Sequence, residues 1–527
     1  MKLLSVMFTA HDCNMSYYDG VSVHYHKFER SKQLKRFSWN DMYSWITDLK
    51  QLWNVELGEI KEIAVCLNYT NDPSNPLSEQ ITTGEYFPAT DIRNVFSKDE
   101  LWWLPHNNTT IINHHYSHAL STWMLCDSPD ICFVIDGLGD GRTWSVFKDD
   151  KLIEFGHIEN VGSIGWAMRE AGFDIGLTAG HYNDIAGKLM GLQSYGNIDQ
   201  GYLDVLASQH YSIKDVYNIF SPANWIDYKG DKLLAKLTKL DHIKTVHYFM
   251  EIVLVNFFRQ YASPTDIIGY SGGVAQNVIW NTELRNHFPN IVIPPHSSDE
   301  GLSLGGLEFL RRKHKLPKFT LDNFPYVAGD TAPTDTPSLD TIKRAAQLLA
   351  DGNTIGWYQG HGEIGPRALG NRSILMNPSI PNARAKINQI KNREQFRPFG
   401  ASVLKEYTSV YFDTDKEDPY MLYVANVLPE YKNTLSAITH VDGTCRIQTV
   451  DDRNPVYKQL IEEFYKLTGL SILLNTSLNV AGKPIAGYPD NARELFYNGK
   501  LDYMFIGNEC LSKEDLSPTT NKIVSVG

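Results

Sequence analysis

The stretch ICFVIDGLGDGRTWSVFKDDKLIEFGHIE, residues 131–159, decides the architecture. It reads as a buried strand ending at Asp136, then a glycine-rich turn, then a hairpin, RTWSVF-KDD-KLIEFGHIE. The start of the chain echoes it: LLSVMFTA is a strand, HDCN a turn, and MSYY-DG-VSVHYHKF a hairpin with an Asp-Gly turn. A buried strand twice runs into a turn of small or polar residues and then into antiparallel strands. Another strand is expected at residues 63–67. A third glycine turn lies in DIIGYSGGVAQNVIWNTELRN, where a strand precedes Ser271-Gly272-Gly273 and a helix is expected from about Val274. Strand, glycines and helix N-terminus offer backbone N–H groups to a phosphate, although paired glycines in such a turn equally serve packing.

The chain has 527 residues, too many for one core. The proline-rich stretch 316–337, with little periodicity, is the linker candidate. Beyond it, SLDTIKRAAQLLADG opens on a serine cap, runs as an amphipathic helix and ends in Asp-Gly; NTIGWYQG then reads as a strand. The expected domains are 1–325 and 335–527, both of α/β class. Apolar residues make up 42% and charged residues 21%, as in a globular protein. The net charge of −12 argues against broad nucleic-acid binding, which needs a basic surface, but leaves room for a local basic groove. The six cysteines form no C-x-x-C and are expected to be reduced thiols of a cytoplasmic protein. MKLLSVMFTA lacks a full apolar signal-peptide core, and no run approaches the ~18 apolar residues of a membrane span.

INHHYSHAL, residues 112–120, places three histidines within five positions. On a helix, His114 and His118 share one face, and His115 points about 100° away. Two imidazoles on one face are half a metal site or, taken alone, a pair of structural histidines. Asp136 at a strand tip is placed to hold a metal or to start a turn. Asp299, in IVIPPHSSDEGLSLGG, reads locally as a helix cap. Together the four make a mixed nitrogen and oxygen set suited to iron(II) first, or to zinc or manganese. Such an ion could polarise a carbonyl and orient a nucleotide phosphate.

The order of these motifs resembles that of the O-carbamoyltransferases, the family of the tobramycin, nodulation-factor and cephem enzymes. Its members carry an H-D-A-S-like start, H-H-x-x-H-A, D-G-x-G, G-G-x-A-x-N and P-P-x-x-x-D-x-G. This chain has HDCN, HHYSHA, DGLGDG, GGVAQN and PPHSSDEG in the same order. The resemblance implies a duplicated actin/hexokinase-like N-terminal domain, which would produce the echoing hairpins. It assigns His114, His118, Asp136 and Asp299 to the metal, and Gly137, Gly139, Gly272, Gly273 and Asn277 to the nucleotide. It places His11 at the acceptor hydroxyl as base or orienting group; a turn histidine is the plainer reading. The departure from H-D-A-S to HDCN leaves the fine substrate contacts open. NDIAGKLMGLQSYG resembles a further family block, in which Lys188 approaches phosphate; otherwise it is a solvated helix lysine.

In the second domain, GHGEIGPRALGNRSIL sets Arg367 and Arg372 among glycines. KNREQFRPFGASV and DGTCRIQTV add Lys391, Arg393, Arg397 and Arg446. Any one of these cations is most simply a surface charge, but the cluster points to a small polyanion. LLNTSLNVAGKPI ends a strand in Asn475, Ser477 and Asn479, which suit hydrogen bonds to phosphate or carbamoyl, or an Asx/ST turn. These blocks resemble the same family, whose C-terminal domain is similar to threonylcarbamoyl-adenylate synthase, an open αβ sheet with a positive cavity.

The resemblance implies that carbamoyl phosphate and ATP, with magnesium, form carbamoyl-adenylate in that domain. An internal passage would protect the adenylate from water until the N-terminal metal site transfers its carbamoyl group to an acceptor hydroxyl. The acceptor would be a small metabolite or sugar, with a hydroxymethyl-pyrimidine, free or in DNA, as the alternative. Nucleic acid enters only as an acceptor, no membrane is expected, and a homodimer is allowed. Aromatic residues of EYFPATD (85–91) and NHHY are candidates for the acceptor pocket or for core packing. Two other classes stay open: an actin-fold metabolite kinase, and a nucleotide-binding regulator.

Overall fold

A computed structural model describes residues 1–8, 11–39, 43–67, 89–91, 108–126, 128–220 and 238–513. The acceptor-pocket aromatics Tyr86 and Phe87 lie outside the described residues. The chain divides into two compact units: Met1–Asp322 with Leu422–Val424, and Asn323–Met421 with Ala425–Gly527.

Unit 1 holds two sheets. The first comprises β1 (Leu3–Phe8), β2 (Asn14–Tyr18), β3 (Val23–Lys27), β4 (Glu62–Leu67), β5 (Ala89–Asp91) and β6 (Thr109–Ile112), in the order β3-β2-β1-β4-β6-β5. The second comprises β7 (Ile131–Gly139), β8 (Arg142–Lys148), β9 (Lys151–His157), β10 (Ile268–Ser271) and β11 (Ile291–Val292), in the order β9-β8-β7-β10-β11. In each, the first strand pairs antiparallel with the next, which pairs antiparallel with the third. The first strand's other edge pairs parallel with a later strand, and that one with another. The same connectivity, drawn twice, is the duplicated actin/hexokinase-like plan. β1 and the first part of β7 are buried on both faces, which accounts for their near-continuous apolar sequences.

Two details depart from the sequence reading. The glycine stretch after Asp136 is not all turn: β7 continues to Gly139 across a register shift, and the reversal falls at Asp140-Gly141, whose φ values are 49° and 74°. The helix expected from Val274 starts at Val278. A 3-10 turn fills Gly273–Gln276, and the Asn277 side chain caps the helix by accepting from the backbone of Ile279 and Trp280. Asparagine is among the best N-caps, so it overrode the apolar pattern ahead of it.

The proline-rich stretch 316–337 contains the boundary between the two units, and its later part is bonded into unit 2. The backbone amides of Ala328, Thr331 and Ile364 donate to Gly362, Gly487 and Pro325, and Ala328 is buried. Proline removes periodicity without forcing exposure.

Unit 2 is one mixed sheet: β12 (Ile355–Tyr358), β13 (Arg372–Met376), β14 (Gly400–Leu404), β15 (Val424–Asn426), β16 (Thr444–Val450), β17 (Ile472–Ser477), β18 (Tyr503–Ile506) and β19 (Glu509–Ser512). The order is β15-β16-β14-β17-β13-β12-β18-β19. Successive side chains alternate between two cores. Ile374, Ile472 and Leu474 pack into one; Leu375 and Leu473 pack into the other, with the helices Leu339–Ala350 and Pro455–Thr468. Ser338 caps the first of these helices by accepting from Thr341.

Candidate metal centre and anion site

The helix His114–Trp123 is buried along its whole length, so each of its polar groups needs a purpose. Asn113 caps it by accepting from the Tyr116 amide. The amide of His114 donates to Asp140 at 2.7 Å, pinning the first turn to the β7–β8 reversal. Gly305, in the helix Leu302–Lys313, lies so close to Ser117 that a Cβ would fall 1.9 Å from its carbonyl oxygen. His115, on the other face, contacts the Arg142 carbonyl at 3.0 Å and the Ser145 hydroxyl at 2.9 Å. Burial, then the field of His114, keeps its pKa well below the ordinary histidine value.

On the remaining face, single ligand atoms of His114, His118, Asp136 and Asp299 all lie within 4.8 Å of one another. Nε2 of His114 is 3.4 Å from Asp136 and 3.6 Å from Asp299, and Nε2 of His118 is 3.5 Å from Asp299. These are long for hydrogen bonds. They are close to the separation of about 3.0–3.4 Å that neighbouring ligands adopt around an ion with ~2.1 Å bonds. Neither ring nitrogen of His114 or His118 has a hydrogen-bond partner among the described residues, although both rings are fully buried. Orphaned buried nitrogens facing two carboxylates fit a divalent ion. Without an ion, burial opposes charge on His114, but Asp136 and Asp299 outweigh it and hold its pKa well above the ordinary value. Burial likewise opposes charge on Asp136 and Asp299, and His114 leads the groups that pull both below the usual carboxylate range.

The glycines around the cluster have steric duties. A Cβ on Gly272 would fall 2.2 Å from the Ile135 carbonyl oxygen, and φ there is 96°. The Gly273 amide donates to Asp136 Oδ1 at 2.7 Å, which orients that carboxylate. A Cβ on Gly139 would strike the His114 ring, whereas one on Gly137 would meet Trp166 at an ordinary 3.7 Å. Asn277 is committed to its helix cap and, through Nδ2, to His247 at 3.0 Å. Lys188, on the helix Ile185–Leu192, donates to the Thr178 carbonyl.

His11 stands beside the cluster. Its Nδ1 is 3.0 Å from Asp12 and 3.6 Å from Asp299. Burial opposes its charge, but the Asp12 bond and the field of Asp299 raise its pKa above the ordinary value. Asp12, in the left-handed region at φ 59°, also accepts from Arg36 at 3.0 Å.

In unit 2 the cations separate by role. Arg372 is fully buried, donates to the carbonyls of Gln359, Asn371, Thr331 and Gly360, pairs with Asp330 at 3.1 Å and lies 3.6 Å over the Tyr358 ring. That guanidinium is a structural post. Asn475 is likewise buried, donating to the Ala368 carbonyl and Ser402. Lys391 donates to Ser477 and Asn479, forming a tight local set. Arg393 donates to Asn388 Oδ1 at 2.8 Å and to the Pro398 carbonyl at 3.1 Å and lies 4.1 Å from the centroid of the Phe399 ring, within the fields of Arg397 and Arg446. Burial first, then Arg397 and Arg446, pushes the Arg393 pKa well below its usual value, and burial and Arg397 lower that of Arg446. Crowded, half-buried guanidinium groups suit a phosphate-rich ligand. Arg367 is half-buried in the glycine-rich stretch GHGEIGPRALG.

Three acidic or basic groups escaped the sequence reading. Asp140 anchors the histidine helix, and Arg36 ties Asp12 to Asp184. Glu363, fully buried, accepts from the amides of Leu369, Asn371 and Arg372 at 2.7, 2.8 and 3.2 Å and so shapes the arginine loop. The sequence signal for Glu363 is its place as the one carboxylate inside GHGEIGPRALG.

Comparison with known proteins bears on both units. Residues 60–307 match the model described as carbamoyltransferase N-terminus, and residues 346–513 the one described as carbamoyltransferase C-terminus. An uncharacterised protein of Synechocystis sp. is 31% identical over 471 residues, 76% of this chain and 75% of that one. Nodulation protein NolO of Bradyrhizobium diazoefficiens is 31% identical over 448 residues, 77% of this chain and 80% of that one. Among solved structures, (R)-2-hydroxyglutaryl-CoA dehydratase component A of Acidaminococcus fermentans covers 60% of this chain and 99% of its own at 9% identity, with a TM-score of 0.37, too slight a likeness to argue from. No helix of the described residues is long and apolar enough to cross a membrane. The two matched halves and the relatives sharing them along most of their length make this chain a member of the carbamoyltransferase family, an enzyme that transfers a carbamoyl group.

Proposed function

We propose that the protein is an ATP-dependent O-carbamoyltransferase that works in two steps, one in each unit. In unit 2, Arg367, Arg393, Arg397 and Arg446 hold carbamoyl phosphate and the phosphates of ATP. Water cleaves carbamoyl phosphate to carbamate and inorganic phosphate, and a carbamate oxygen then attacks the α-phosphorus of ATP, forming carbamoyl-adenylate and releasing pyrophosphate. Lys391, Ser477 and Asn479 border that site, while Glu363, Arg372 and Asn475 hold its loops in shape.

In unit 1, His114, His118, Asp136 and Asp299 would hold a divalent ion, with iron(II) first and zinc or manganese as alternatives. When bound, the ion supplies Lewis-acid polarisation of the carbamoyl carbonyl of the adenylate. His11 takes the proton of the acceptor hydroxyl through Nε2, while Asp12 fixes Nδ1 and hence the tautomer. The acceptor oxygen bonds to the carbamoyl carbon, the bond to the AMP oxygen breaks, and an O-carbamoylated acceptor and AMP remain. Adenylation is what turns carbamate, a poor electrophile, into a mixed anhydride with a good leaving group.

The observation that carries this reading is the presence, in one carbamoyltransferase chain, of a buried two-histidine, two-aspartate cluster in unit 1. The test is incubation with labelled carbamoyl phosphate, ATP and a panel of hydroxyl compounds. The proposal requires pyrophosphate release that depends on carbamoyl phosphate, and label appearing on one acceptor. ATP cleavage to ADP with phosphate on the acceptor would make the protein a kinase instead.

A further inference from the structure

The first loop departs from the pattern it resembles: HDCN stands where the family start reads H-D-A-S, so Asn14 takes the place of a serine. The chemistry above gives that asparagine no task. Asn14 opens β2 and is fully buried, where an amide without partners would cost stability. Both ends of the amide are engaged. Nδ2 donates to the carbonyl of Asp12 at 2.8 Å and to the carbonyl of Asp299 at 3.0 Å, and the Met7 sulfur lies 3.1 Å from the same nitrogen. Oδ1 accepts from the backbone amide of Ser303 at 3.1 Å. Carbonyls only accept and a backbone N–H only donates, so these partners fix which way the side-chain amide points.

The partners lie on two separate loops. Asp12 follows His11, whereas Asp299 belongs to the metal-type cluster and Ser303 to the first turn of the helix Leu302–Lys313. Among the described residues, neither that helix nor the 3-10 turn Asp299–Gly301 before it has a side-chain cap of its own. Asn14 supplies the missing acceptor from another strand, 289 positions away in sequence. The same hairpin adds two bonds to this seam: Ser16 meets Ser303 hydroxyl to hydroxyl at 2.7 Å, and Tyr25 donates to the Glu300 carbonyl at 2.7 Å. Of these three side chains, Asn14 alone bonds to both loops. Where the loops meet, Nδ1 of His11 is 3.6 Å from Asp299 Oδ2.

The residue type matters. Serine has one hydroxyl hydrogen and reaches at most one of the two carbonyls. Aspartate would set a carboxylate against both carbonyl oxygens, and alanine would strand all three backbone groups. We infer that Asn14 is a positioning residue that ties the loop of His11 to the loop of Asp299, so that the proton acceptor and the metal-type cluster keep one fixed separation. This rests on the roles given above to His11 and Asp299. A misplacement of about 1 Å between reacting groups costs about a hundredfold in rate, and a direct tie between the two loops prevents it.

The test reads each loop without turnover, so failure of the tie and failure of the proposed reaction are separate results. Zinc affinity of the full-length protein, from competition with a chelating dye, reports on the Asp299 loop. The rate at which diethyl pyrocarbonate modifies His11 in the zinc-saturated protein, read by peptide mass spectrometry, reports on the other. Asn14→Ser should weaken zinc binding about tenfold and speed His11 modification severalfold, and Asn14→Ala should do both more strongly. Asn14→Ser carries the residue type of the resembling family at this position and decides the outcome if Asn14→Ala fails to fold. Ser16→Ala cuts the same seam at Ser303 alone and should keep both readouts at the wild-type value, whatever it does to the melting temperature. A change in only one readout for a folded Asn14→Ser variant, a change in neither, or equal changes in Ser16→Ala would each overturn the inference.

Discussion

A Cβ placed on Gly139 would sit 2.1 Å from Cδ2 of His114, well inside the ring's van der Waals surface. The glycine of the β7 tip is therefore a seat for a metal-type histidine. Gly139→Ala should push the ring off the cluster and weaken zinc binding about 10–100-fold. Gly137→Ala, whose nearest contact would be 3.7 Å away, should bind zinc as the wild type does. Competition titration with a chelating dye on both variants checks the contrast.

Metal binding should depend on pH through His114. Burial disfavours its charge, yet Asp136 and Asp299 raise its pKa well above the ordinary value in the ion-free protein. An incoming ion must displace that proton, so affinity should fall about tenfold per pH unit below the raised pKa. The same shift acts on stability. The folded pKa exceeds the unfolded value of about 6.5, so the stabilising share is full below that pH and is lost as pH rises through the folded value. Melting curves with chelator should show this loss on the alkaline side, and saturating zinc should remove it.

Arg372 and Arg397 should fail in different ways. Arg372→Met strands the buried Asp330 and several carbonyls, a loss of about 3–5 kcal/mol expected to unfold unit 2. Arg397, whose side chain is 35% exposed and lies 3.9 Å from Glu394, should tolerate alanine without loss of fold. Thermal denaturation distinguishes the two before any activity is measured.

Glu251, on the helix Lys239–Arg259, carries a pKa raised to about 7, chiefly by burial and then by Glu283, with Lys244 opposing. An acid whose folded pKa is raised binds its proton more tightly when folded. Its charge therefore costs stability as pH climbs from about 4.5 through 7. Glu251→Gln should stabilise the protein by about 1–3 kcal/mol at alkaline pH and leave it unchanged in acid. Chemical denaturation at both pH values checks this.

What the sequence disclosed depended on how local the cause was. The two hairpin echoes were legible because each strand pairs with its chain neighbour. The histidine spacing was legible because a helix turns every 3.6 residues. The start of the helix at Val278 was missed because an asparagine cap outweighed apolar periodicity. Arg372 and Arg397 look alike in a string of letters; only burial beside Asp330 separates a post from a ligand-facing charge. Glu363 and Asp140 act on backbone amides, which every residue has, so no pattern of side chains marks their partners.

Pyrophosphate release in two folded variants tests most directly the proposed division of activation and transfer between the two units. Arg397→Ala should lose the release that depends on carbamoyl phosphate. His118→Ala should keep that release while passing no carbamoyl group to any acceptor. Equal loss of pyrophosphate release in both would contradict the division.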